Sequence, residues 1–481
     1  MKARAVLLGA LCGLGARAGE FTLETTVDLM QRRNLLATGR DRETRRPGQF
    51  QDSVALVGNR GPWTADATVR SVNVFRQAPN GTLDRADTSL YKRGLRYDAG
   101  PWTLQCGDFN TMLGRGLLLA VVRNPAILQE NTVDGGDAVG RFGRLEVHAL
   151  GGSVATEKGD QSWRVAGLET SLAILEGHRV AVRAADIRDG RRPAFGPPVG
   201  LRQCSSVAVS GRNRSGALNY EAEWGQVAFR DRKPPSFPVA VDPRNGTGAY
   251  GNLSWQRGPW FLMGEYKRYE NFDTTLNTPP LADRETEKNN LYDASGRRLF
   301  LQHSFRVPDL TVFMAAGRYR EGTQHGQNIY GGFKLQDGFG RMDLACTYGL
   351  RTVRYPEKRT DAALTWRFTP RWSLDLALRD QRNRPPGSDP YQVTDLTVQV
   401  AWSPRFALFL LQQRSSVPVF DSTRLYHGGL RVNLPKGSYL EMSGGRLRGG
   451  EVCAGGQCVK LPPFKGWQIA AHLRIQGLSS N

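Results

Sequence analysis

A chain of 481 residues that is 40% hydrophobic and 9% aromatic, at a mean hydropathy of −0.44, excludes both a disordered polymer and a bundle of membrane helices. Its formal charge of +20 calls for anionic surroundings or anionic cargo. Six dispersed histidines and six cysteines without a CxxC pair give no metal-ligand spacing, so no metal and no cofactor are expected.

The chain opens on "MKARAVLLGALCGLGARAGE". A basic start (Lys2, Arg4), an apolar stretch and a small-x-small exit at Ala16-Arg17-Ala18 read as a secretory leader, cut before Gly19. Leu11 precedes Cys12 where a lipoprotein leader carries a small residue, so lipid attachment is not expected. Loss of Lys2, Arg4 and Arg17 leaves 20 − 3 = +17 on residues 19–481. Secretion makes nucleic acid the poorest partner for that charge, and no Lys/Arg run interleaved with stacking aromatics supports it.

The tripeptide Gly-Pro-Trp then occurs three times, at 61–63, 100–102 and 258–260. Glycine and proline together write a tight turn, and each time tryptophan begins the next segment. The first two copies are 39 residues apart and the third lies 158 further on, close to four times 39, so one hairpin spans about 39 residues. Eleven short connections, near 59–62, 98–101, 140–143, 176–179, 212–215, 257–259, 306–309, 338–341, 369–371, 403–405 and 435–437, alternate with twelve longer polar ones. The longer set includes 321–327, 352–358 and 416–423. That alternation predicts about 24 strands (22–26).

Residues 107–136, "GDFNTMLGRGLLLAVVRNPAILQENTVDGG", break the pattern, because the apolar run Leu117–Val122 falls where an external loop should be. Either the loop folds into a lumen, with Asp108, Arg115 and Arg123 forming a constriction or site, or a long strand projects its tip above the membrane.

The later half has a period of two. In "WSLDLALRD" Trp372, Leu374, Leu376 and Leu378 alternate with Ser373, Asp375, Ala377 and Arg379, and "DLTVQVAW" repeats the scheme. In the first half the alternation is weaker, as in "GLRQCSSVAVSG" and "EAEWGQVAFRD". Aromatics gather beside the short turns. Trp63, Trp102, Trp260, Trp372, Trp402 and Phe406 read as an interfacial girdle. The predicted fold is therefore all-β: a single large antiparallel transmembrane β-barrel over residues 19–481, with short periplasmic turns and longer external loops.

The polar faces carry Arg183, Arg367, Arg379, Arg431 and Arg474. Such arginines either line a pore and favour anions or pair with inward Asp343 and Asp375 and brace the wall. Cys453 and Cys458 bracket "AGGQ" and suit a short disulfide-closed loop, with two free thiols as the alternative. No GxSxG, HExxH or P-loop occurs.

The run "GDF…LGRGLLL…RN…NTVDGG" resembles that of an uncharacterised family of bacterial outer-membrane β-barrels with a GD-aromatic…GRG-Leu segment in the N-terminal quarter. The resemblance covers about thirty residues and implies an outer-membrane barrel, with no activity attached. The chain departs from the usual ending in stopping at "HLRIQGLSSN", without a terminal aromatic. The expectation is a non-catalytic, porin-like channel in the outer membrane of a Gram-negative-type bacterium, anion-preferring and surrounded by outer-membrane lipid. The alternatives are a barrel scaffold for secretion or surface assembly with a periplasmic or surface partner protein, an outer-membrane hydrolase, and a soluble secreted β protein.

Overall fold

The computed structural model describes residues 22–34, 48–75, 85–124, 129–155, 162–189, 201–230, 245–272, 276, 293–306, 309–321, 324–336, 342–352, 356–384, 389–419, 422–448, 450–454, 457–461 and 464–476. The leader expected at 1–18 lies outside them.

Twenty-four strands form one antiparallel sheet, from the 8 residues of Trp102–Phe109 to the 15 of Arg85–Ala99. Strands pair in chain order with two detours. Trp102–Phe109 pairs with Thr132–Phe142 across residues 110–131. Tyr439–Leu447 pairs with Phe464–Gln476 across the small hairpin Gly450–Ala454 and Gln457–Leu461. The first strand, Thr22–Asn34, pairs with the last, Val27 opposite Leu473, so the sheet closes into a barrel.

Eleven connections of two to five residues occupy one end of the barrel. At the other end most connections are longer, but 322–323, 353–355 and 420–421 hold only two or three residues. This corrects the longer loops expected there. Strands such as Asp309–Glu321 and Gln324–Gln336 keep pairing past their apolar stretch, because a ladder needs backbone partners rather than apolar side chains.

All three Gly-Pro-Trp sites are two-residue turns, closed by the pairs Arg60–Trp63, Ala99–Trp102 and Arg257–Trp260. Gly61, Gly100 and Gly258 stand at φ 54°, 56° and 57°, a left-handed conformation that only glycine takes freely. Each proline carbonyl accepts a backbone N–H from the neighbouring hairpin: Pro62 from Asp98 (2.8 Å), Pro101 from Arg141 (2.8 Å) and Pro259 from Ser304 (2.9 Å). The tryptophans after these turns, and Trp402 before another, meet aromatic partners across the strands. Trp63 lies 4.6 Å from Tyr97, Trp102 5.0 Å from Phe142, Trp260 4.1 Å from His303, and Trp402 5.9 Å from Trp372 and 5.2 Å from Phe406.

The wall is inside-out relative to a water-soluble protein. In Leu201–Arg212 the valines Val207 and Val209 are exposed while Arg202 and Ser206 are buried. In Trp260–Glu270, Leu262 and Tyr266 are exposed while Glu265 and Lys267 are buried. Apolar side chains on the outside and charges on the inside match a sheet whose outer wall faces lipid.

Inside the ring sits a dry cluster. Leu113, Leu117, Leu118, Leu119 and Val121 are fully buried against inward Trp163, Val165, Ile187, Cys204, Val227, Tyr269 and Phe272. Residues 110–122 therefore lie on the inner wall, over the strands from Ser162–Leu175 to Trp260–Glu270.

Candidate functional site

The chain parts from Arg85–Ala99 at Gly107, where φ is 99° and an added Cβ would stand 2.2 Å from the Arg93 carbonyl oxygen, and stays paired with Thr132–Phe142 as far as Phe109. The last pair with Arg85–Ala99 is Gly107 opposite Gly94. The Asp108 carboxylate takes over the next rung, accepting the Arg93 backbone N–H at 2.9 Å. The Arg93 guanidinium reaches past it to Asp134 at 3.2 Å. Thr111–Leu113 then pairs with Leu119–Val121 in a small hairpin that has its own turn, Gly114-Arg115-Gly116-Leu117.

That turn is held by carboxylates on the wall. Gly114 N–H donates to Glu169 (3.2 Å) and Arg115 N–H to Glu223 (3.4 Å). The Arg115 side chain bonds Glu221, which holds the guanidinium more firmly protonated than usual. Beneath the turn, Arg183 ties the same acids together. Its Nε lies 2.9 Å from Glu169 and its Nη1 3.0 Å from Glu223. The Ser206 hydroxyl donates to Glu223 at 2.8 Å. Four strands thus converge on two backbone amides.

Glycines make the fit. Gly114 is at φ 61° and a Cβ there would meet the Arg183 guanidinium at 2.8 Å. A Cβ at Gly167 would strike Leu113 at 2.8 Å, and one at Gly225 would press on Leu117 at 3.3 Å. At the far side Ala120 N–H donates to the Leu276 carbonyl at 2.6 Å, joining the segment to a second loop that enters from Asn271.

The sequence-selected residues fall in separate places. Arg183 does not line open space: at 9% exposure it lies under the turn, its charge met by two carboxylates. Arg379 faces the interior and bonds Asp361 at 3.0 Å, which also takes Arg359 at 2.7 Å. Asp375, one of the acids considered as a brace, instead accepts the Thr365 hydroxyl at 2.7 Å. Arg431 rests 3.9 Å over the Tyr439 ring and donates to Asn433. Arg367 and Arg474 occupy other strands. Arg123 stands opposite Glu130 in a second short pairing. Cys453 and Cys458 are directly opposite in the small hairpin, while Cys106, Cys204 and Cys346 are free thiols.

Sequence reading missed Glu169, Glu221, Glu223 and Ser206. The only available signal was the acid-x-acid of "EAEWG", which puts Glu221 and Glu223 on one face of a strand. It also missed a recess of ≈ 370 Å³ on the inner wall, lined by Thr347, Asp361, Arg379, Asp395, Thr397 and Gln413 among others. No cluster of metal-ligating residues occurs among the described residues.

No family model matches the chain, and no curated protein matches it. Among solved structures it is similar to a chain of the E. coli P pilus tip assembly intermediate PapC-PapD-PapK-PapG, at a TM-score of 0.52 and 9% identity over 95% of this chain and 61% of that one. It is also similar to the P pilus usher PapC translocation pore (TM-score 0.46, 10% identity, 95% and 100% of the two chains). A third likeness is to Pseudomonas aeruginosa OpdK solved with vanillate (TM-score 0.41, 12% identity, 79% and 98%). The chain spans about 61% of the length of the first of these. At such identities the likeness is one of fold: this is a large β-barrel of the kind found in Gram-negative outer membranes.

Proposed function

We propose that the protein is a non-catalytic outer-membrane channel for small polar solutes, narrowed on one side by residues 110–122. Residues 1–18 act as its removable leader, and Cys453 and Cys458 form a disulfide in the external hairpin. The observation that carries the reading is the contrast between two sectors of the inner wall. One sector is sealed by the buried Leu113–Val121 hairpin. The other, around the ≈ 370 Å³ recess, carries Thr347, Asp361, Arg379, Asp395 and Gln413, side chains suited to a wet path.

Selectivity is weak in this reading. Arg183 is neutralised beneath the turn, and Arg379 shares Asp361 with Arg359. The remaining excess of positive charge favours anions modestly. Planar-bilayer recording tests the proposal. The expected result is a small, steady conductance with a reversal potential shifted slightly towards anions. Absence of conductance, or a strong cation preference, would overturn it.

A second reading is a barrel that secretes or docks a partner protein. The strand number of 24 and the likeness to a chain from a pilus assembly intermediate favour it. Its mark would be a stoichiometric partner that co-purifies and blocks the conductance. A hydrolase gains no such support. His148 bonds Asp137 at 2.6 Å, but its cross-strand neighbours are Val139 and Glu169, which offer no nucleophilic hydroxyl.

A further inference from the structure

Several arginines of the outer wall are neutralised by acids on the same wall. Arg188 bonds Asp186, Arg268 bonds Glu270 and Arg382 bonds Asp380, each with the acid two residues away on the same strand. Arg320 bonds Asp293 at 2.6 Å. Arg297 and Arg318 are not neutralised in this way. They stand directly opposite each other on neighbouring strands, and both are exposed on the same wall as Leu299, Met314 and Ile329. Two residues along, Arg297 has Ser295 and Leu299, and Arg318 has Ala316 and Arg320. Neither has an acidic partner among the described residues.

Like charges directly across a strand pair repel, and here they do so beside an apolar surface where screening by water is weak. Such a pair is stable where an anion joins it. The surface around it has the shape for an amphiphile. Small Ala316 sits between Leu299 and Ile329 and leaves a recess of ≈ 480 Å³ with an apolar floor, edged by Arg297, Arg318 and Gln327. Exposed Tyr266 stands opposite Arg297, as an interfacial ring does. Both arginines lie six residues, about 20 Å along the strand, from the level of Trp260, towards the end with the longer loops. Long arginine stems can carry their charge further in that direction.

We infer that Arg297 and Arg318 clamp a phosphate of an acylated, phosphorylated glycolipid of the outer leaflet, with one acyl chain lying over Ala316 between Leu299 and Ile329. The inference rests on the reading that the outer wall faces lipid. It gives part of the chain's excess positive charge a task outside the channel.

Native mass spectrometry of the full-length barrel in detergent, titrated with bis-phosphorylated lipid A, tests it. The expected result is one tightly held lipid, bound about tenfold more weakly by the Arg297→Glu/Arg318→Glu variant and nearly normally by Arg297→Lys/Arg318→Lys. Dephosphorylated lipid A should bind about as weakly as the Glu variant binds the intact lipid. Equal binding by the Glu variant, or by the phosphate-free lipid, overturns the inference. Displacement by millimolar inorganic phosphate alone would assign the site to a free anion and overturn the lipid assignment. Heat-modifiable migration of every variant guards against misfolding. Solubility without detergent would instead sink the lipid-facing wall itself, which separates the two failures.

Discussion

Arg183 Nη1 lies 3.0 Å from Glu223 Oε1, and both side chains are shut away beneath the Gly114–Gly116 turn. The pair joins two strands of the wall and, through the free edge of Glu223, the backbone of the inserted segment. Loss of Glu223 leaves Arg183 with Glu169 alone and strips the Arg115 N–H of its acceptor, at a cost below the roughly 3–5 kcal/mol of a wholly uncompensated buried charge. The barrel ladder does not depend on this pair, so the cost falls on the segment. Glu223→Ala should therefore release residues 110–122 while the barrel still migrates as a folded, heat-modifiable band. Single-channel conductance should rise, and limited proteolysis from the lumen should cut near Arg115. An unchanged conductance would show that the segment does not restrict the path.

Gly114 gives a second handle on the same hairpin without altering charge. Its φ of 61° costs a non-glycine residue about 1–2 kcal/mol, and the clash with Arg183 adds to that. Gly114→Val should raise conductance much as Glu223→Ala does. Gly116→Ala, where φ is 77°, should act in the same direction but less. The double variant Gly114→Val/Glu223→Ala should add little to either alone, since both release one unit.

Asp361 balances Arg359 and Arg379 in the open sector. Asp361→Asn keeps the shape of the side chain and leaves two guanidinium groups facing the lumen. The reversal potential in a salt gradient should move towards anion selectivity, by an amount that shrinks as ionic strength rises. Arg379→Gln should move it the other way.

Direct opposition of Cys453 and Cys458 makes a count of thiols informative. Removal of the proposed leader, which holds Cys12, would leave five cysteines. Denatured protein should take three maleimide labels before reduction and five after it. Five labels in both conditions would exclude the disulfide.

How much of this could be read from the chain follows from what each wall touches. In Trp372–Asn383 and Tyr391–Trp402 the outer wall meets lipid and the inner wall meets water, so Leu376 and Val398 alternate cleanly with Asp375 and Gln399. The two-faced strand character was read from such stretches, and the strand number from the Gly-Pro-Trp spacing and the alternation of connections. In Ser162–Leu175 and Leu201–Arg212 the inner wall carries Trp163, Val165 and Cys204 because a leucine-rich hairpin lies on it. Apolar residues then occupy both faces, and the period of two fades. The weak alternation of the first half was thus a sign of the insertion itself. The docking acids were not legible, since Glu169 and Glu223 are 54 residues apart and meet only through Arg183 and the turn.

At the short-turn end, the bonds to Pro62, Pro101 and Pro259 belong to a longer series. Ala173 donates to Arg144, Arg212 to Gly177, Gln256 to Ala217, Ser403 to Arg371 and Asn433 to Arg405. In every case the later residue donates and the earlier turn accepts. Each of these eight turns so offers one carbonyl that the next hairpin fills, like a row of hooks and eyes. The bonds therefore run one way along the chain, each of these turns tied to the hairpin that follows it, and the ring is closed where the last strand, Phe464–Gln476, meets the first, Thr22–Asn34.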